Sequence, residues 1–139
     1  MPLETYSIES KYKNVNATAD SIKNFCLANG VSEPLCNDLL ICVIEALNNV
    51  ITHSYNKEDS KNIGINVSID NSEFVVNIED EGISRTNFEK PTLDFDPDDI
   101  ENLPEGGMGL FIIENLMDST SYRSANGKNI FTMKKHLNQ

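Results

Sequence analysis

Two segments with strictly alternating hydrophobicity constrain the fold of this chain more than any other feature. NIGINVSID carries apolar residues at every second position, and SEFVVNIED does the same. This period of two is typical of β-strands with one buried face, and the Asp70-Asn71-Ser72 cluster between the segments favours a turn. The segments therefore predict an antiparallel hairpin whose buried face carries Ile63, Ile65, Val67, Ile69, Phe74, Val76 and Ile78.

A second hairpin is predicted near the C-terminus. STSYRS and NIFTMKKHL flank Asn126-Gly127, a dipeptide typical of two-residue hairpin turns. Residues 3 to 9 (LETYSIE) predict one more strand, although their alternation is weaker.

Helices are predicted between these strands. NVNATADSIKNFCLANG carries an apolar face and ends at Gly30, and SEPLCNDLLICVIEALNNVITHSY begins with Ser32 as N-cap and Pro34 in the first turn. A third helix is expected at 108–118. Helices and hairpins in blocks, without βαβ alternation, predict an α+β fold. We expect a two-layer sandwich with helices on one face of a mostly antiparallel (mixed) sheet.

Length and composition predict one soluble domain over residues 1–139. The chain is 39% hydrophobic and 24% charged, and its first residues have neither a basic start nor an apolar core. No membrane segment is expected, and we expect the protein to be cytoplasmic. Cys26, Cys36 and Cys42 lack the spacing of a zinc site, so we expect reduced, mostly buried thiols.

The formal charge of −11 argues against direct nucleic-acid binding, because a phosphate backbone needs a basic surface. It does not exclude a nucleotide, which backbone N–H groups and a divalent cation could hold. Residues 83–105 are acidic, proline-containing and without a period, which indicates either a functional lid or a solvated loop without a role.

Three polar constellations are candidates for a functional site. Spacings of four and eight place Glu45, Asn49 and His53 on one stripe of the long helix. There a carboxylate could act as a base and an amide oxygen could bind Mg²⁺, or the stripe could simply be the solvent face.

The second constellation is Asp80 with Gly82, at the end of the second hairpin strand. The carboxylate could accept a hydrogen bond from an exocyclic amine, and the glycine could admit a flat ring; the alternative is an ordinary turn. The third is Gly106, Gly107 and Gly109 before the apolar helix. Glycines before a helix suit an anion site, or a flexible connection.

In order along the chain, EALNNVITHSY, DEG and PEGGMGLFIIENLMD resemble the nucleotide-binding boxes of the Bergerat-fold ATPases. They are most similar to those of the bacterial anti-sigma-factor serine/threonine kinases, whose histidine-kinase-like ATPase domain has about this length. The likeness covers nearly the whole chain. One departure is Ser84, where many members of the wider superfamily carry a second glycine.

The resemblance implies a role for each matched residue. Glu45 would be the general base, Asn49 would bind Mg²⁺, and Asp80 with Gly82 would hold the adenine. Residues 88–105 would be a mobile ATP lid. The remaining nucleotide-binding positions would be His53, Gly106, Gly107, Met108, Gly109, Leu110 and Thr132.

The resemblance also implies a function. The chain would be an ATP- and Mg²⁺-dependent serine/threonine-protein kinase that acts as an anti-sigma factor. It would bind a sigma factor, phosphorylate a small anti-anti-sigma protein on serine or threonine, and form a homodimer. The alternatives are an ATP-binding module that sequesters a partner without turnover, the catalytic domain of a histidine kinase, and a structural protein without nucleotide.

Overall fold

The computed structural model describes residues 2–70, 72–83 and 108–137, and these form an antiparallel sheet with helices. The strands are β1 (Leu3–Glu9), β2 (Asn62–Ile69), β3 (Glu73–Asp80), β4 (Ser119–Ala125) and β5 (Lys128–His136). Their order is β1-β2-β3-β5-β4, and each of the four pairings is antiparallel. The predicted α+β class is confirmed.

The β2–β3 hairpin forms as its alternation predicts. Ile65 pairs with Ile78 and Val67 with Val76, and only every second residue of each strand is buried. Asp70 closes the turn, since its Oδ1 accepts hydrogen bonds from the backbone N–H groups of Ser72 (2.8 Å) and Glu73 (2.7 Å). These two bonds hold the pKa of Asp70 below its usual value.

The β4–β5 hairpin turns at Asn126 and Gly127, which adopt φ angles of 55° and 78°. Positive φ at both central residues is what this tight hairpin turn requires, and Asn and Gly are the residues that tolerate it. This hairpin is also confirmed.

Three helices complete the described structure: α1 (Tyr12–Ala28), α2 (Glu33–Asn49) and α3 (Met108–Leu116). Ser32 caps α2, because its Oγ accepts from the backbone N–H of Leu35 at 3.4 Å. α2 packs against both α1 and α3. It is therefore the central helix of the layer that covers the buried face of the sheet.

The long helix predicted after Ser32 is confirmed, because Glu33–Ser54 is helical over 22 residues, but its last turn is not α-helical. The α-helix ends at Asn49 and continues as a π-helical turn over Val50–Ser54. The backbone N–H of Tyr55 donates to the carbonyl of Val50 at 2.9 Å, an i→i+5 bond that takes one extra residue into the turn. No residue type in this segment signals that change.

All three cysteines are free and fully buried, as predicted. Burial raises the pKa of the Cys26 and Cys42 thiols to about 12, so both are protonated at neutral pH.

The segment Glu33–Ser54 is long and apolar enough to span a membrane by length and composition alone, but half of its most apolar part is buried inside the protein. Because it comprises α2 and the following turn, its apolarity is accounted for by packing against α1 and α3.

Candidate functional site

The first turn of α3 lies directly against the polar stripe of α2. A Cβ atom added at Gly109 would lie 2.8 Å from Glu45 Oε2 and 3.4 Å from Asn49 Nδ2. The first of these distances is shorter than real Cβ contacts allow. The structure therefore brings Glu45, Asn49 and Gly109 together, and a larger residue at position 109 would require the Glu45 carboxylate to move.

Asn49 carries an unsatisfied polar atom at this contact. Its Nδ2 is buried and has no hydrogen-bond partner among the described residues. Such a group costs about 1–3 kcal/mol unless a ligand or water satisfies it, and exchange of the amide O and N would present an oxygen instead. The orphaned amide and the space kept by Gly109 together fit a bound Mg²⁺–nucleotide.

The local electrostatics also favour a cation. The N–H groups in the first turn of a helix have no partner within the helix, so those of α3, at Gly109 and Leu110, would attract an anion such as a phosphate. The Glu45 carboxylate would repel that phosphate by roughly 1–4 kcal/mol at 4 Å, depending on the local dielectric. A divalent cation held here would offset this repulsion. Within the described ranges, no cluster of three acidic, His or Cys side chains offers another metal site.

Asp80 forms a second polar centre, at the end of β3. It is only 4% exposed, and its Oδ1 accepts from the backbone N–H of Gly82 (2.9 Å) and from Asn129 Nδ2 (2.8 Å). Burial raises the pKa of Asp80 above its usual value, while the bonds from Asn129 and Gly82 counteract part of this rise.

Gly82 is required by packing against the π-helical turn. A Cβ at Gly82 would lie 2.3 Å from the backbone oxygen of Ser54, and the N–H of Ile83 donates to the same oxygen at 2.8 Å. The Tyr55 hydroxyl accepts from the N–H of Glu81 at 2.8 Å. The π-helical turn thus fixes the backbone that follows Asp80.

A cavity of about 610 Å³ opens beside this backbone. Asp80 and Gly82 line it, but Glu45, Asn49 and Gly109 do not. Its size is typical of small-molecule sites. It nevertheless contains only one of the two polar centres, so it does not by itself define the candidate site.

The structure does not bring Thr132 to Asp80. Thr132 pairs with Asn77, and its Oγ1 donates to Asn77 Oδ1 at 2.5 Å. Asp80 instead pairs with Asn129, three positions away along β5. An odd separation in a strand places two side chains on opposite faces, so Thr132 lies on the face away from Asp80.

Asn129, and not Thr132, is the β5 residue that contacts Asp80. It is 3% exposed and contacts Asp80 directly. The signal that could have revealed it is the alternation of β5, in which the buried Phe131 and Met133 share its face.

The remaining predicted site residues lie outside the two polar centres or outside the described part of the chain. His53 is exposed within the π-helical turn, where the α-helical spacing used to place it on the stripe no longer holds. α3 begins at Met108, and Leu110 is half-buried. Gly106, Gly107 and the proposed lid at 88–105 lie outside the described residues.

Comparison with known families identifies the class of protein. Residues 8–135 match the family model of the histidine kinase-like ATPase domain. The chain belongs to this family.

Two relatives narrow the class. A serine-protein kinase RsbW of Oceanobacillus iheyensis is 33% identical over 76% of this chain and 68% of its own length. An anti-sigma F factor of Clostridium perfringens is 34% identical over 73% of this chain and 72% of its own length. Two Bacillus kinases named RsbW are matched over 64% of their length. The chain is thus related to serine-protein kinases within its family.

The fold agrees with a solved structure. The RsbU and RsbW domains of Rv1364c from Mycobacterium tuberculosis superpose with a TM-score of 0.71 at 12% identity, covering 100% of this chain and 33% of that one. At this identity the likeness establishes the histidine kinase-like ATPase fold.

Proposed function

We propose that this chain is an ATP-dependent serine/threonine-protein kinase that acts as an anti-sigma factor. It binds a sigma factor and phosphorylates a small anti-anti-sigma protein, and so regulates transcription from the cytoplasm. The single observation that supports this most strongly is the contact of Glu45 and Asn49 with Gly109 at the start of α3. The relatives named serine-protein kinase and anti-sigma F factor support the same activity.

The proposed site residues bind ATP and Mg²⁺ or take part in the phosphate transfer. The Asn49 amide oxygen holds Mg²⁺, and the N–H groups at the start of α3, with Gly106 and Gly107 before it, hold the phosphates. When bound, Mg²⁺ neutralises phosphate charge. Asp80 accepts from the adenine amino group, and Glu45 takes the proton from the hydroxyl of the partner's serine or threonine.

We also propose that the kinase works as a homodimer. β1 is an edge strand of the described sheet, because it pairs only with β2 there. An edge strand offers unpaired backbone groups that a second copy could use.

Transfer of labelled phosphate tests the proposal. The full chain is incubated with Mg²⁺, γ-labelled ATP and the candidate antagonist protein encoded beside it. We expect label on a serine or threonine of the antagonist. Glu45→Gln should slow the transfer about 100-fold or more, because a general base contributes about that much. Glu33→Gln, at the exposed N-terminal end of the same helix, is the matched control and should keep the wild-type rate.

Two results would contradict the kinase proposal: no transfer by the wild-type chain, or equal transfer by the wild type and Glu45→Gln. ATP binding without transfer would instead support the alternative of a module that sequesters a partner without turnover. Calorimetric titration with ATP separates these outcomes.

A further inference from the structure

Three polar side chains form a row across the sheet at the end of β3. Asp80 pairs in register with Asn129, and Asn129 pairs with Ser124 of β4. Their side chains are hydrogen-bonded in the same order. Asn129 Nδ2 donates to Asp80 Oδ1 at 2.8 Å, and the Ser124 hydroxyl donates to Asn129 Oδ1 at 2.7 Å.

The orientation of the Asn129 amide is fixed by its acceptors. Its Nδ2 faces both the Asp80 carboxylate and the carbonyl oxygen of Gly82, at 2.8 and 3.1 Å. Neither group can donate a hydrogen bond, so the NH₂ of Asn129 must point toward them. The amide oxygen then faces Ser124, whose hydroxyl can donate, and no flip of the amide satisfies all three contacts.

This orientation determines which oxygen of Asp80 remains available. The bonds from Asn129 and from the N–H of Gly82 both end on Oδ1. A carboxylate oxygen accepts about two hydrogen bonds, so Oδ1 is saturated and Oδ2 is left as the acceptor. Because a carboxylate cannot donate, the group that meets Oδ2 must bring a proton.

We propose that Asn129 is a positioning residue that makes the site selective for a purine with an amino group at position 6 over one with an oxo group. It does so by holding Asp80 through Oδ1 and Gly82 through its carbonyl, so that Oδ2 faces the base. This inference rests on the proposed function, in which Asp80 binds adenine. It adds the residue that orients Asp80, and this residue comes from a different strand.

A 6-amino purine and a 6-oxo purine would interact differently with Asp80 Oδ2. An amino group donates to Oδ2, whereas an oxo group places a second acceptor against the carboxylate. A buried site built to hydrogen-bond one group rejects an analogue that leaves it unpaired. If Asp80 were free to rotate, it could turn away from the oxo group and the discrimination would fall.

The test compares the binding of ATP and inosine triphosphate, which differ at position 6 but carry the same triphosphate. Dissociation constants are measured by calorimetry with Mg²⁺ for the wild type, Asn129→Leu and Ser121→Ala. Ser121 lies on β4 and faces the opposite side of the sheet from Asn129, so this variant controls for mutation of the sheet.

We expect the wild type and Ser121→Ala to bind ATP at least about tenfold more tightly than inosine triphosphate. In Asn129→Leu this ratio should fall to about threefold or less, while both nucleotides still bind through the phosphate end of the site. An unchanged ratio in Asn129→Leu would overturn the role of Asn129 and leave the proposed ATP site standing. Failure of the wild type to bind either nucleotide would overturn the ATP site itself, and this inference with it.

Asn129→Ala serves where the leucine variant does not fold. It removes the hydrogen bonds of the Asn129 amide and adds no bulk, so this side chain no longer holds Asp80 through Oδ1. We expect the discrimination to fall below about threefold here also, and a wild-type ratio would overturn the proposal.

Discussion

At the scale of single residues, Asp80 is under two opposing influences. Burial favours its neutral form and raises its pKa, whereas Asn129 and Gly82 donate hydrogen bonds that favour the carboxylate. The net direction is upward. The folded state therefore holds a proton on Asp80 more tightly than the unfolded state does, and the ionised form weakens the fold at neutral pH.

Asp80→Asn tests this conflict. We expect the variant to be more stable than the wild type at pH 7, because the amide removes a buried charge and its oxygen can still accept both bonds. Each pKa unit corresponds to about 1.4 kcal/mol. The gain should shrink as the pH falls toward the usual Asp pKa near 3.8, where the wild type is protonated too. Urea unfolding across this range measures it, and lower stability at pH 7 would contradict the dominance of burial.

At the scale of secondary-structure elements, the site depends on two glycines at close contacts between elements. Gly82 lets the end of β3 approach the backbone of the π-helical turn, and Gly109 at the start of α3 lies against the Glu45 side chain of α2. Both contacts join segments that are distant in sequence. Glycine at these positions therefore serves packing between elements as well as room for a ligand.

Gly82→Ala should lower the free energy of unfolding by about 1–3 kcal/mol, because the new Cβ would overlap the backbone of Ser54. The matched control is Gly64→Ala in β2, where the nearest atom to a new Cβ is 3.6 Å away. This control should cost much less. Denaturant unfolding of both variants measures the difference, and equal costs would argue against the tight contact.

Much of the element pattern could be predicted from the sequence. The alternation of β2 and β3, the cap at Ser32 and the turn at Asn126-Gly127 are local signals, and each is confirmed. No local sequence signal predicts the π-helical turn. It forms together with a contact that is distant in sequence, the hydrogen bond from the N–H of Ile83 to the carbonyl of Ser54. The helix runs past Asn49 as predicted, but its change from α- to π-helical hydrogen bonding does not follow from the sequence.

The sequence predicts contacts within one element of the site better than contacts between elements. Glu45 and Asn49 share a helix, so their proximity follows from spacing. The partner of Asp80 depends on the register of β3 with β5, which motif matching does not give. The resemblance points to Thr132, whereas the contact of Asn129 with Asp80 follows only from the pairing of the strands.

At the scale of the whole molecule, the proposed ATP site would combine two polar centres of one layered fold. α2 and α3 supply Glu45, Asn49 and Gly109, and the end of β3 with β5 supplies Asp80 and Asn129. The chain carries a formal charge of −11, so a triphosphate meets overall repulsion. We propose that a divalent cation at Asn49 overcomes that repulsion.

Calorimetric titration of the full chain with ATP, in Mg²⁺ and in EDTA, tests this claim most directly. For the wild type we expect one ATP per chain and an affinity at least about tenfold higher with Mg²⁺, equivalent to about 1.4 kcal/mol. Asn49→Ala should lose most of this dependence on Mg²⁺, whereas Asn48→Ala, the adjacent half-buried residue, should keep it. ATP binding that is independent of Mg²⁺ in the wild type, or equal dependence in the two variants, would contradict the account.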